Sequence, residues 1–136
     1  MFSIGQLSKR TGVKIPTIRY YEQMGLIDAP ERSEGNQRRY TEDGLSRLSF
    51  IRHSRDLGFS VEDIRGLLNL SQHPEKPCQD AHSIAAQHLK DVQTRIAKLR
   101  RLERELKRIT QCDADNVADC AVIETLADHG LCETEH

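Results

Sequence analysis

The sequence predicts a mainly α-helical protein, with short N-terminal helices followed by one long helix and a polar C-terminal loop. Three observations carry this. Helix-capping residues recur at Ser3, Thr41 and Ser60. Residues 80–110 contain neither Gly nor Pro. Apolar residues in that stretch recur at spacings of three and four, the period of an amphipathic helix.

The composition agrees. The chain has 136 residues, 37% hydrophobic and 30% charged, with no Trp. That length suits one compact core rather than two, and the balance suits a helical protein with a modest core and a large wet surface. No run of apolar residues is long enough to cross a bilayer, so no membrane partner is expected. The opening MFSIGQLSKR lacks the apolar stretch of a signal peptide. A cytoplasmic location is expected, where cysteines stay reduced.

Net charge is −1, but its distribution is uneven. Residues 1–40 hold Lys9, Arg10, Lys14, Arg19, Arg32, Arg38 and Arg39 against four acids. From Asp113 onward there is no Lys or Arg, and there are seven acids. A basic front implies a polyanionic partner, and an acidic end implies a cation.

Taken in order, Ser3 and Gln6 form a capping box for a short helix that Gly12 ends. Pro16 suits the first turn of a second helix over residues 15–24, with Gly25 as its stop. Two short helices with a Gly-containing turn fit a helix-turn-helix, and equally any small αα-hairpin. Residues 30–40 are turn-rich at the centre and basic at the far end. They predict a β-hairpin wing with Gly35-Asn36 near its tip. Arg32, Arg38 and Arg39 of that wing are expected to face a phosphate backbone. Thr41 caps the next helix, with Leu45, Leu48, Ile51 and Leu57 as apolar positions and Gly58 closing it. Ser60 caps another, with Ile64, Leu67 and Leu68 inward, before Pro74 and Pro77.

Within residues 80–110, Leu89, Val92, Ile96, Leu99 and Leu106 draw a heptad seam. The surrounding chain is too short to bury it, so a coiled-coil homodimer is expected. A polar loop, a short helix near residues 121–126 and a tail complete the chain. The expected division is 1–75, 76–110 and 111–136.

Four cysteines occur, Cys78, Cys112, Cys120 and Cys132, with no zinc-finger spacing. Cys78 precedes the long helix, Cys112 follows it, and Cys120 closes the acidic loop after Cys112. At a rise of about 1.5 Å per residue, Cys78 and Cys112 lie roughly 50 Å apart in one chain. An antiparallel coiled coil would bring Cys78 of one protomer to Cys112 and Cys120 of the other, giving two symmetric three-thiolate sites. Soft thiolates select Zn(II), Cd(II), Pb(II), Hg(II) or Cu(I) over Mg(II) and Ca(II). A lone cysteine is usually a small buried hydrophobe. Two that bracket an acidic loop, with a third supplied by symmetry, favour ligation. His82 is a weaker candidate. His129, Cys132 and His136 form a tail cluster, a candidate for a secondary ion but better read as a disordered tail, and His53 and His73 read as surface residues.

These features resemble the MerR family of transcription activators. The resemblance rests on Ile4 to Val13, on Thr17-Ile18-Arg19-Tyr20-Tyr21-Glu22-Gln23-Met24-Gly25-Leu26-Ile27, on Phe50-Ile51-Arg52, and on Leu57 to Ile64. It implies a winged helix-turn-helix DNA-binding domain, a long antiparallel dimerisation helix and a C-terminal metal-binding loop. It further implies a homodimer on a palindromic operator in double-stranded promoter DNA. There it distorts the DNA on binding metal so that RNA polymerase can engage. Lys14, Thr17, Arg19 and Tyr20 fall on the recognition helix, and Arg32, Arg38 and Tyr40 in or beside the wing. Gln37 stands where the family has an aromatic residue, Arg39 where it has an apolar one, and Lys14 where it has Ser. Cys78 resembles the zinc, cadmium, lead and mercury sensors, whereas the Cys112–Cys120 spacing matches the copper(I) type. Zinc, cadmium or lead is the expected inducer, with copper(I) bound by Cys112 and Cys120 alone as the alternative. Asp113 replaces the cysteine that holds a second ion in some relatives. No catalytic constellation accompanies the cysteines, so no enzyme is expected. The rival from another class is a thiol switch forming disulfides between chains.

Overall fold

The capping signals of the sequence govern where the helices start. The computed structural model describes residues 1–28, 30–32, 35 and 38–132, with Glu31, Arg32 and Arg38 described by their backbone. The expected wing tip at Asn36, and Gln37 and His136, lie outside the described residues. Contacts divide the chain into two units, Met1–Ile84 and Ala85–His136.

In the first unit, α1 (Ile4–Thr11) opens with the expected capping box. The Ser3 hydroxyl accepts from the Gln6 N–H at 3.1 Å, and the Gln6 side chain accepts from the Ser3 N–H at 2.8 Å. Gly12 follows at φ +75°, a left-handed turn that favours glycine. Next comes α2 (Ile15–Gln23), with Pro16 in its first turn. A two-stranded antiparallel ribbon pairs β1 (Glu31–Arg32) with β2 (Arg38–Arg39), and an isolated bridge joins Phe2 to Tyr40. Thr41 and Ser60 cap α3 (Glu42–Asp56) and α4 (Val61–Ser71), each accepting a backbone N–H at 3.1 Å.

The core forms where these elements meet. Phe2, Leu7, Val13, Ile18, Tyr21, Leu26, Ile27, Tyr40, Leu48, Ile51, Ile64 and Leu68 make one buried cluster. Three arginines fasten it from outside. Arg52 donates to the Thr11 carbonyl at 2.9 Å, Arg65 to Met24 at 2.6 Å, and Arg47 to Leu26 at 2.8 and 3.1 Å. Each of these carbonyls ends or follows α1 or α2, where the helix supplies no further donor. One expected apolar position differs. Leu57 is 61% exposed, because it sits at the C-cap of α3, where the chain turns away at Gly58 (φ +88°).

The long helix α5 (Gln79–Thr110) spans 32 residues. In the second unit it meets α6 (Ala121–Ala127), which follows a single 3-10 turn at Val117–Asp119. Ile109, Glu105 and Thr125 are buried there. Glu105 accepts two bonds from Arg108 at 3.0 and 3.2 Å, and Arg108 also donates to the Leu131 carbonyl at 2.8 Å. A buried carboxylate is tolerated when paired in this way. The expected seam is open in the single chain. Leu89, Ile96, Leu99 and Leu106 remain exposed, Leu99 by 63% and Leu106 by 57%. The covered face instead holds Ile109, which the spacing argument had not included.

Gly12→Ala tests the arginine fastening. A Cβ there would lie 2.4 Å from Arg52 Nη1 at a left-handed φ. The substitution is expected to destabilise by about 1–2 kcal/mol, read as a lower midpoint in urea unfolding. An unchanged midpoint would show that this turn is not constrained.

Candidate functional site

Two groups of residues stand out, one in each unit. On α2, Ile18 and Tyr21 are buried in the core, so the helix presents its other face outward. Arg19 and Tyr20 are exposed there, with Thr17 half-buried beside them. Lys14 occupies the position before the helix, exposed and without a side-chain capping bond. This face therefore offers cations, a hydroxyl and an aromatic ring, the groups that meet phosphates and base edges.

Arg32 and Arg38 are opposed in the ribbon. Tyr40 differs from expectation. It is 3% exposed, and its hydroxyl donates to the Glu22 carboxylate on α2. Its place is to tie the ribbon to the outward-facing helix rather than to reach outward itself. The sequence carried no sign of this pairing, since the partners lie eighteen positions apart.

The second group surrounds Cys112. Cys112 lies two residues beyond α5, and Cys120 is the N-cap residue of α6. A helix leaves its first N–H groups without internal acceptors. Cys120 offers no side-chain capping bond. The Ala121 N–H instead donates to Cys112 Sγ at 3.2 Å. The loop between is shaped by Asn116, whose side chain accepts from the Asp119 N–H at 3.1 Å, and by the Cys120 N–H on the Val117 carbonyl at 3.2 Å.

These contacts hold the Cys112 thiol below its ordinary pKa. The Ala121 N–H is the largest cause, followed by the Ala114 N–H, with the Cys120 thiol adding to them. Partial burial and the Asp113 carboxylate oppose the shift. The shift eases ionisation relative to an ordinary cysteine, and the thiolate is the metal-ligating form. Two adjacent sulfurs, one of them polarised, make a donor set for a soft cation.

The other candidates have surroundings of their own. Cys78 is exposed, and its carbonyl accepts the His82 N–H at 2.9 Å. His73 pairs with Glu75 at 3.3 Å. His129 and Cys132 line a cavity of about 250 Å3 with Leu102, Glu105, Ile109 and Leu126. Among the described residues, no three His, Cys, Asp or Glu side chains of one chain gather into a metal cluster. No helix there is long and apolar enough to cross a membrane.

Comparison with known proteins gives this arrangement a context. The family model described as MerR HTH family regulatory protein matches residues 2–71, and that described as MerR, DNA binding matches residues 45–109. The chain is 42% identical over 130 residues to the HTH-type transcriptional regulator ZntR of Escherichia coli (strain K12), covering 93% of this chain and 92% of that one. Its fold is similar to the crystal structure of the transcription regulator PbrR691 from Ralstonia metallidurans CH34 in complex with lead(II). That match has a TM-score of 0.80 and 40% identity, over 93% of this chain and 99% of that chain. It is also similar to MerR from Bacillus megaterium MB1 in complex with mercury(II), with a TM-score of 0.70 and 32% identity over 93% and 100%. The chain belongs to the MerR family of helix-turn-helix transcription regulators, and it is not an enzyme. Within that family, its relatives are metal-responsive regulators.

Ala121→Pro isolates the polarising bond. Proline is favoured in the first turn of a helix, and Cys120 already has the extended backbone it needs (φ −73°, ψ 122°). The variant keeps α6 but loses the N–H. Cys112 then needs a higher pH to ionise, so the pH profile of its alkylation by iodoacetamide, followed by peptide mass spectrometry, is expected to move upward. A profile that stays in place, with α6 intact, would sink this assignment.

Proposed function

We propose that this protein is a cytoplasmic, metal-dependent transcription regulator that binds a palindromic promoter operator as a homodimer. It activates transcription by distorting the DNA when a divalent thiophilic ion, Zn(II), Cd(II) or Pb(II), binds. The observation that carries this reading is the meeting of Cys112 and Cys120 at the start of α6, with a backbone N–H on one sulfur.

Two sulfurs from one chain leave a three-coordinate ion one ligand short. Since α5 separates Cys78 from Cys112 along the chain, the third thiolate is assigned to Cys78 of the partner subunit. The exposed apolar residues Leu89, Ile96, Leu99 and Leu106 support the dimer this needs, because an unpaired seam of that kind is costly in water. Antiparallel helices put the start of one beside the end of the other.

The DNA-contacting set is assigned to Lys14, Thr17, Arg19 and Tyr20 on and before α2, with Arg32 and Arg38 in the ribbon. Tyr40 supports them through Glu22. Most of these groups would meet phosphate and fix the register of the dimer on the duplex. RNA polymerase is the partner that reads the distortion, whose cost the protein's contacts offset.

Copper(I) is the second reading. It is favoured by the fact that Cys112 and Cys120 alone make a two-sulfur set within one chain. Substitution of the cysteines separates the two. With the purified dimer, Cys112→Ser and Cys120→Ser are expected to abolish metal-induced run-off transcription while operator binding persists. Cys78→Ser is expected to remove the Zn(II), Cd(II) and Pb(II) responses; retention of a copper(I) response alone would favour the second reading. Loss of operator binding in all three variants would overturn the assignment of these residues to sensing.

Arg19→Ala is expected to act on DNA instead, with or without metal. The homodimer then loses one phosphate contact per protomer, two in all, which flattens the dependence of log affinity on log salt by about 1.8. An unchanged slope and affinity would remove Arg19 from the interface.

A further inference from the structure

The exposed seam of α5 has one charged member. Leu89, Ile96 and Glu103 form one row at a spacing of seven, and Val92, Leu99 and Leu106 form the other. Glu103 lies four residues after Leu99 and three before Leu106, so it shares their face of the helix. All three are exposed in the single chain. Among the described residues, no cation pairs with the Glu103 carboxylate. It has no part in the packing of its own unit either. Glu105 is the acid buried there, and it is Glu105 that bonds to Arg108. An apolar residue at 103 would complete the seam, yet the sequence puts a charge there.

We propose that Glu103 sets the direction in which two copies of α5 pair, by excluding the parallel arrangement. In a parallel pair, equal positions face each other across the seam, so Glu103 meets the partner's Glu103. Two carboxylates then lie together among Leu99 and Leu106 of both chains, stripped of water and repelling each other. In an antiparallel pair, one row of the seam faces the other row instead. With Cys78 set beside the partner's Thr110, the last residue of α5, Leu89 faces the partner's Leu99 and Val92 faces the partner's Ile96. Glu103 then faces the partner's Ala85. Alanine is small and uncharged, so the carboxylate has room to turn into water. A polar residue at one seam position fixes register and oligomer state at a cost in stability, and here it fixes orientation.

The inference rests on the homodimer reading given above and adds the residue that selects its geometry. Only the antiparallel pair brings Cys78 of one protomer to Cys112 and Cys120 of the other. A side chain that ligates nothing therefore decides whether the three-thiolate site can assemble.

The test uses the full chain with Cys112→Ser, Cys120→Ser and Cys132→Ser, which leaves Cys78 as the one attachment point for a nitroxide label. Label-to-label distance is read by electron paramagnetic resonance, pulsed for long distances and continuous-wave for short ones. Antiparallel helices hold the two Cys78 residues roughly 50 Å apart, at about 1.5 Å per residue. Parallel helices bring them to about 10 Å, the spacing of packed helix axes. With Glu103 in place, the long distance alone is expected. Glu103→Leu is expected to add a short-distance population, because the parallel pair is freed of its repulsion. Glu103→Lys is expected to keep the long distance alone, since two lysines repel as two glutamates do. A long distance alone in Glu103→Leu would overturn the proposal, as would an equal short population in Glu103→Lys. A short distance with Glu103 in place, or no coupling between labels, would instead overturn the antiparallel homodimer on which the proposal stands.

Discussion

An α-helix ends with backbone donors and acceptors that it cannot satisfy itself, and this constraint organises the molecule at both ends of the chain. In the first unit, hydroxyls of Ser3, Thr41 and Ser60 take the starting N–H groups. Guanidinium groups of Arg52 and Arg65 take carbonyls where α1 and α2 finish, and Arg47 takes the one at Leu26. The helices of the first unit are thus held at their ends as well as along their buried sides. In the second unit the same requirement is met by a sulfur. The α6 amide that elsewhere would find a hydroxyl finds Cys112. A structural need of the helix thereby becomes the chemistry of the site.

How much of this could be read from the sequence follows from the range of each interaction. The three hydroxyl caps were legible because a cap and its target lie within three residues. The ribbon was legible from its turn residues and basic flank, and the long helix from an unbroken period. The arginine fastenings were not legible. They join residues 21 to 41 positions apart, through flexible side chains whose targets are carbonyls common to every residue. Tyr40 was placed with the DNA-contacting residues by the family resemblance, yet its ring belongs to the core and its hydroxyl to Glu22.

The candidate site was half legible. Spacing singled out Cys112 and Cys120, but it carried no information on the Ala121 amide that polarises one of them. Charge patterning suggested that the acidic loop favours cations. The contact within the site is more specific, since Asp113 opposes ionisation of Cys112 while the backbone promotes it. The heptad reading found a seam that stays exposed in the single chain, but it missed the neighbouring face, where Ile109 and Glu105 pack against α6. One helix thus carries two apolar surfaces, one covered inside its own unit and one exposed in the single chain.

The bridge between Phe2 and Tyr40 has a practical side. The backbone of Phe2 exchanges bonds of 2.8 and 2.7 Å with Tyr40, and the Arg10 guanidinium sits 4.6 Å above the Phe2 ring. The chain's first residues are therefore a third strand in miniature, bridged to the end of the ribbon whose Tyr40 bonds to Glu22 of α2. Any affinity tag spliced ahead of Met1 emerges beside that ribbon. Purification handles for this protein belong at the opposite terminus.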